Sequence, residues 1–343
     1  MSEKIGGSTA PQSGYEPRPL AASDLDAVVA IDAATAGRPR RAYFERRLAQ
    51  AQRAPTMHAQ FAVDEGGVLA GFVLARVLEG EFGRTEPALR LEVIDVRPAS
   101  QGRGVGTALE RTLEAEARRR SIGELRTTAT WREHQMLRYL EASGWSLGRD
   151  LVLDCAIGEA EFGTAREAPV ASPDDSRPGD PNDYSSATPT DYAALARDFA
   201  GLRALNEQDL EGIARIDRRL TGSDRSTYLR HALAEALGES GIRVSLAALV
   251  DSAVAGYIMA RVDLGDFGRA EPVAILDTMG VDPMHKGKGI GRALLSQLFV
   301  NLAALRVERV ETVVAYRNLE LLGFFARAGF GPSDRLAFVK RVG

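Results

Sequence analysis

The sequence predicts two successive copies of one α/β domain, each a mixed sheet flanked by helices, and three observations carry that reading. A chain of 343 residues is longer than a single hydrophobic core supports. The phrase "GEFGRTEP" at 80–87 returns as "GDFGRAEP" at 265–272, a spacing of 265 − 80 = 185. The same shift pairs Asp24 with Asp209, Ile31 with Ile216, Gly71 with Gly256, Pro98 with Pro283 and Gly144 with Gly329, without a gap. Such a run is a duplication, and its period is far too long for a solenoid.

Each copy repeats one order of elements. A short strand ("YEPRPL"; "GLRAL") leads through an Asp at a helix start into two helices carrying Tyr43 and Tyr228. Two strands follow, joined tightly at "DEGGVLAG" and "DSAVAG", and the repeated phrase then enters a central strand, "LRLEVIDV" or "VAILDTMGV". A glycine-rich turn feeds a helix, and a strand, a further helix and a final strand pair complete each copy. The helix after the turn is amphipathic, with Val105, Leu109 and Leu113 in the first copy and Ile290, Leu294, Leu298 and Leu302 in the second. The order is not a regular βαβ alternation. We place the domains at 15–158 and 200–343, with 159–199 as a linker whose core, 164–191, is rich in Pro, Ser and Asp.

Bulk properties narrow the function classes. A net charge of −4 argues against binding nucleic acid through bulk phosphate attraction. The run Arg118 to Arg120 falls at a helix end, where cations suit the dipole. One cysteine, Cys155, excludes an internal disulfide or a multi-cysteine metal site, and the four histidines show no ligand spacing. The polar N-terminus lacks a signal peptide's apolar core, and the longest apolar stretch is broken by Asp251 and two serines. A cytoplasmic protein with no nucleic-acid or membrane partner is the expectation.

The glycine turns read "VRPASQGRGVGTAL" and "VDPMHKGKGIGRAL", each after a strand and opening a helix. Glycines let backbone approach a ligand, and free N–H groups at a positive helix end attract phosphate. Arg103 and Lys288 add cations there. The plain alternative is a tight turn that binds nothing. Neither turn fits G-x-x-x-x-G-K-[ST], and the third glycine comes one residue early for a dinucleotide fingerprint.

The spacing resembles the acetyl-CoA loop of the GNAT superfamily of N-acetyltransferases, [QR]-x-x-G-x-[GA]. Gln101, Gly104 and Gly106 match it fully; Gly289 and Gly291 match, with Lys286 where Gln or Arg is usual. "NLELLGFFARAGF" resembles the superfamily's ending, with Asn318, Gly329 and Phe330 in register, and the element order is similar in both copies. The resemblance implies two GNAT (acyl-CoA N-acyltransferase) folds, each with a centrally splayed sheet, and acetyl-CoA as the acyl donor. It assigns acetyl-CoA to Ile94, Val96, Gln101, Gly102, Arg103, Gly104, Val105 and Gly106 in the first copy. In the second it assigns Met279, Val281, Lys286, Gly287, Lys288, Gly289, Ile290, Gly291 and Asn318. The superfamily's tyrosine acid falls on Leu140 and Phe325, neither of which donates a proton, and Tyr139 stands one position away.

The implied reaction is direct acetyl transfer to an amine, for which an ammonium must first lose a proton. Glu92 and Asp277 are equivalent mid-strand carboxylates (277 − 92 = 185) and are the catalytic candidates, against the alternative of exposed strand residues. His134 and Tyr316 are weaker candidates, and Asp32 and Asp217 read as structural. The second copy reads as the closer match to active single-domain relatives. A regulatory acetyl-CoA-binding module without turnover and a purely structural duplication stay open beside the enzyme. The acceptor amine is not readable, and the two copies could pack as an intramolecular pseudo-dimer. The repeated phrase enters the central strand opposite the glycine turn, with Phe82 and Phe267 packing beneath it and Pro87 and Pro272 setting the strand start. Arg84, Glu86, Arg269 and Glu271 either hold a hairpin there or line an amine site.

Overall fold

In a computed structural model of the chain, residues 14–84, 86–159, 201–238, 244–263 and 273–343 are described. The first half runs β1 (Arg18–Pro19), α1 (Leu25–Ala36), α2 (Arg41–Arg53), β2 (His58–Glu65), β3 (Val68–Leu78) and β4 (Ala88–Val96). It continues through α3 (Val105–Arg119), β5 (Glu124–Thr130), α4 (His134–Ala142), β6 (Ser146–Leu147) and β7 (Asp150–Ala156). The second half repeats the order as β8 (Leu202–Ala204), α5 (Leu210–Thr221), α6 (Ser226–Gly238), β9 (Leu246–Val250), β10 (Ala253–Asp263) and β11 (Val273–Val281). It closes with α7 (Ile290–Ala304), β12 (Arg309–Ala315), α8 (Leu319–Arg327), β13 (Gly331–Pro332) and β14 (Arg335–Arg341). The expected linker core and the second copy of the repeated phrase, with Phe267, Arg269, Glu271 and Pro272, lie outside the described residues.

Two mixed seven-stranded sheets result, and each is completed by a strand from the other half. Their orders are β1-β2-β3-β4-β5-β14-β6 and β13-β7-β12-β11-β10-β9-β8. β14 pairs antiparallel with β5 from Arg335↔Thr130 to Arg341↔Glu124, and β7 pairs with β12 from Asp150↔Ala315 to Ala156↔Arg309. The sequence suggested a final strand pair within each copy. Instead β6 and β7, separated only by Gly148 and Arg149, do not fold back on each other; the chain crosses and enters the opposite sheet. Alternation along a strand fixes which face it buries but not which edge it joins. After duplication β5 and β12 present nearly equivalent edges.

Each sheet carries a core on both faces. In the first, α3 presses Val105, Leu109, Leu113 and Ala117 onto one face, while α1 and α2 press Val28, Phe44 and Leu48 onto the other. The second repeats this with Ile290, Leu294, Leu298 and Leu302 on one side and Ile213, Ile216 and Leu229 on the other. Full burial of each such side chain contributes about 1.5–3 kcal/mol. β3 is apolar almost throughout, "VLAGFVLARVL", because helices cover both its faces.

Candidate functional site

In each half the central strand separates from its parallel neighbour. β4 pairs with β5 only at Leu89↔Leu125 and Arg90↔Arg126, and β11 with β12 only at Val273↔Arg309, Ala274↔Val310 and Ile275↔Glu311. Beyond those points the facing edge has no ladder partner among the described residues. The first carbonyl past the separation is capped by a side chain: Thr127 Oγ1 donates to Leu91 O at 3.0 Å, and Thr312 Oγ1 donates to Leu276 O at 3.0 Å. Ile94, Val96, Met279 and Val281 lie on the separated stretches.

A glycine turn and helix start stand at the end of each gap. Gly104 and Gly289 cap α3 and α7 at φ 91° and 82°, a region that glycine enters without strain. The first-turn amides of each helix have no intrahelical acceptor and point out of its end. Gln101 donates its amide N–H to Val96 O at 3.1 Å, which closes the first turn. The turns differ in charge. Arg103 is drawn to Glu65 at 2.9 Å, and Arg97 and the Ser100 hydroxyl share that carboxylate. The Glu65 carboxylate beside the first turn is therefore engaged by two guanidiniums. Position 250, equivalent to Glu65, is Val, and Lys288 is exposed at the second turn. Lys286 pairs with Glu320, and Asn318 accepts from Leu321 N at 3.2 Å, which makes it a helix cap.

Glu92 and Asp277 are the extra residues of matching β-bulges. Register passes from Val93 to Leu91 opposite Leu74 and Ala75, and from Thr278 to Leu276 opposite Met259 and Ala260. Their surroundings diverge. Glu92 is buried beneath Arg47, whose Nε lies 2.6 Å from Oε2 and whose Nη2 donates to Ala75 O. Despite its burial, the Arg47 and Arg76 guanidiniums hold Glu92 down at about 2, so it is a poor proton acceptor. At the position of Arg47 the second copy has Ala232 (232 − 47 = 185). No guanidinium covers Asp277 from α6, and its carboxylate instead takes Arg261 Nε at 3.0 Å along the sheet.

The space left by Ala232 is part of a cleft between the two halves. β10, β11 and α6 supply Arg261, Asp277, Tyr228, His231 and Glu235; the first half supplies Arg76, Glu79 and Glu81. Residues 80–84 of the repeated phrase form an arm that reaches across this junction. Arg225 donates to Gly80 O, and a Cβ at Gly80 would meet Arg225 Nη1 at 2.8 Å and Arg84 O at 3.1 Å, so a side chain there would have to displace that guanidinium. Phe82 packs edge-on against Phe325 with centroids 5.9 Å apart rather than beneath its own strand. Arg84 pairs with Asp150 at 2.5 Å, and Glu79 with His231 at 2.8 Å. Arg76 and Glu235 make a two-pronged bridge at 2.9 Å. Glu86 is exposed.

The profile of the acetyltransferase (GNAT) family matches residues 25–145 and again 210–330. The chain belongs to this family. A tandem GNAT protein from the clavulanic acid biosynthesis pathway shares 21% identity over 96% of this chain and 99% of its own, with a TM-score of 0.58. A GCN5-related N-acetyltransferase from Sphaerobacter thermophilus shares 18% over 97% of both chains, at 0.54. A glucosamine N-acetyltransferase region of a fungal multi-domain β-N-acetylglucosaminidase reaches 0.60 at 14% identity, covering 96% of this chain and 38% of that one. These likenesses confirm two GNAT folds in tandem.

Leu140 and Phe325, at the family's tyrosine position, are fully buried in the two cores. Tyr139 turns toward its glycine turn, donating to Glu110 at 2.7 Å, and burial with that carboxylate keeps its phenol protonated. Phe324 takes the same place at Gly291 without a hydroxyl. His134 and Tyr316 are exposed beyond the strand ends, away from the cleft. Asp32 and Asp217 form buried pairs with Arg40 and Arg225, with Nε to Oδ2 distances of 3.0 and 2.9 Å. Glu79, Glu81, Tyr228, His231 and Glu235 did not emerge from the sequence as site residues, because the cleft exists only between the halves. The signal that could have found them is the change from Arg47 to Ala232 at one register position. Among the described residues no helix is long and apolar enough to cross a membrane, and no cluster suited to a metal ion occurs.

Asp95 has no counterpart in the second half, where Gly280 stands. Burial, then the nearby Asp32 carboxylate, raise it from 3.8 to about 7. A carboxyl raised on folding favours the folded state at low pH, and that contribution is lost as pH climbs from about 4 through about 7. Asp95→Asn is therefore expected to stabilise the protein at pH 8 by about 1–2 kcal/mol and to change little at pH 4.5; the full shift would be worth roughly 4 kcal/mol, and partial exposure reduces it. Melting temperatures at the two pH values check this, and equal gains at both would refute it.

Proposed function

We propose that this protein is a cytoplasmic N-acetyltransferase that moves the acetyl group of acetyl-CoA to a primary amine, and that the C-terminal half carries the turnover. The observation that carries the reading is the cleft beside Asp277, which opens at the bulge of a separated strand whose far end meets a glycine turn and helix start. The residues fit the donor. Lys288, the turn from Lys286 to Gly289 and the first amides of α7 would hold its pyrophosphate, with Gly291 behind them, and the open edge of β11 would hold its pantetheine arm. The bound donor supplies a thioester carbonyl, and backbone N–H groups near Asp277 and Met279 would stabilise charge on its oxygen. In the first half Glu65 holds Arg103 in an ion pair beside the turn, and Arg47 fills the space where an amine would approach.

Thiol release from acetyl-CoA across a panel of primary amines tests the reading, with Gly104→Glu and Gly289→Glu as a matched pair. Both glycines have positive φ, so strain is similar in the two variants and the added carboxylate repels phosphate at one turn only. Gly289→Glu is expected to lower turnover at least about 100-fold, the scale on which lost electrostatic stabilisation acts. Gly104→Glu should leave more than half. Equal losses would contradict a single working half. A regulatory acetyl-CoA-binding module is the second reading, favoured by the absence of a hydroxyl at Phe325; binding without thiol release from any amine would support it.

A further inference from the structure

We infer that the acceptor nitrogen is received by Glu81, Asp277 and Tyr228, so that the N-terminal arm supplies the proton acceptor for chemistry in the C-terminal half. This inference rests on the proposed transfer reaction and names its base and its acceptor contacts.

Three independent observations converge on this point. The Tyr228 side chain lies against the cleft, is 7% exposed, and its hydroxyl has no hydrogen-bond partner among the described residues. A buried hydroxyl without a partner costs stability unless something else satisfies it. Second, the cleft's other carboxylates already have side-chain partners: Glu79 has the His231 ring, Glu235 has Arg76 and Asp277 has Arg261. Among the described residues Glu81 has no side-chain partner, only its own backbone and the Gly80 N–H, 3.3 Å from Oε2. Third, the short helical turn of residues 81–83 that carries Glu81 contains Phe82 at φ 45°, a strained backbone for a bulky residue. Strain of this kind persists only where surrounding contacts impose it, here Phe325, Arg225 and Asp150.

The chemistry of the ligand follows. A primary ammonium has three N–H donors, and the cleft offers two carboxylates and a phenol oxygen to receive them. The groups facing Glu81 are Asp277 on β11, Arg76 on β3, Arg261 on β10, and Tyr228, His231 and Glu235 on α6. Burial, and after it the Asp277 carboxylate, push the Glu81 carboxyl above its ordinary range, the direction that makes a carboxylate a stronger proton acceptor. Glu81 takes one proton from the ammonium and later passes it to solvent. The freed nitrogen lone pair forms the C–N bond at the thioester carbon, and the C–S pair leaves with sulfur. The second nitrogen proton then goes to the thiolate through water, giving amide and free thiol.

The experiment uses the full-length protein, Glu81→Gln, Glu81→Asp and Tyr228→Phe. Calorimetry with 1,4-diaminobutane and with each amine of the panel reads the acceptor site, and thiol release reads the chemistry. Glu81→Gln is expected to lower kcat about 100-fold or more, to abolish the rise of kcat/KM with pH on its acid side, and to weaken amine binding at least about tenfold. Glu81→Asp should recover part of the rate, Tyr228→Phe should raise KM more than it lowers kcat, and all three should bind acetyl-CoA as wild type does. Turnover in Glu81→Gln within about twofold of wild type, or amine binding undiminished by it, overturns the inference, as does failure of every amine to bind wild type. Amine binding that is lost in Glu81→Gln while wild type releases no thiol leaves the amine site standing and removes the transfer reaction instead.

Discussion

Ending the chain at Asp334 is expected to unfold the N-terminal half, although every residue removed belongs to the C-terminal copy. The deletion strips β5 of a seven-residue ladder and leaves that edge open. It also removes Lys340, which lies 2.9 Å from the buried Glu110 and 2.5 Å from Glu114, and Arg335, which donates to Thr128 O at 2.8 Å. Glu110 would keep only the Trp145 and Tyr139 donors. Breaking a buried charge pair costs about 3–5 kcal/mol, a large part of the roughly 5–15 kcal/mol that holds a domain together. Hydrogen exchange across β5 should rise to the unprotected rate, and the truncated protein should aggregate, while removal of Gly343 alone should do neither. Wild-type protection of β5 in the truncated chain would show that the exchanged strand is dispensable.

Ala232→Arg should close the cleft in the C-terminal half as Arg47 closes its equivalent. The guanidinium would occupy the approach to Asp277 and add a positive charge where a cationic nitrogen must sit. Turnover is expected to fall at least about 100-fold, the scale of lost acceptor positioning. Acetyl-CoA affinity should stay within about twofold, because Ala232 lies on α6 and the glycine turn lies beyond the opposite end of β11. Thiol-release kinetics together with acetyl-CoA titration separate the two effects; unchanged kcat/KM would place the acceptor elsewhere.

What could be read from the sequence was whatever depends on neighbours along the chain. The stripes of α3 and α7, the glycine turns and the paired positions of Glu92 and Asp277 are local, and a single offset located all of them twice. The destinations of β7 and β14 were not readable, because two copies of one edge compete for two copies of one strand and pattern alone does not choose between them. The cleft was hidden for a related reason. Identities at the offset reveal the duplication, but the difference between Arg47 and Ala232 is what separates a filled space from an open one. The repeated phrase announced itself by sequence, while its placement on the opposite half became visible only through Gly80, Phe82 and Arg84.

The exchanged strands also govern how the protein can move. A hinge that swung the halves apart would have to break both the β5–β14 and β7–β12 ladders together, seven residue pairs in each. The junction therefore behaves as a fixed wall, and admission to the cleft is a matter of fit through a standing doorway. The acceptor proposed above would then present its amine on a slender extension, with the arm's side chains, not a closing domain, as the gate.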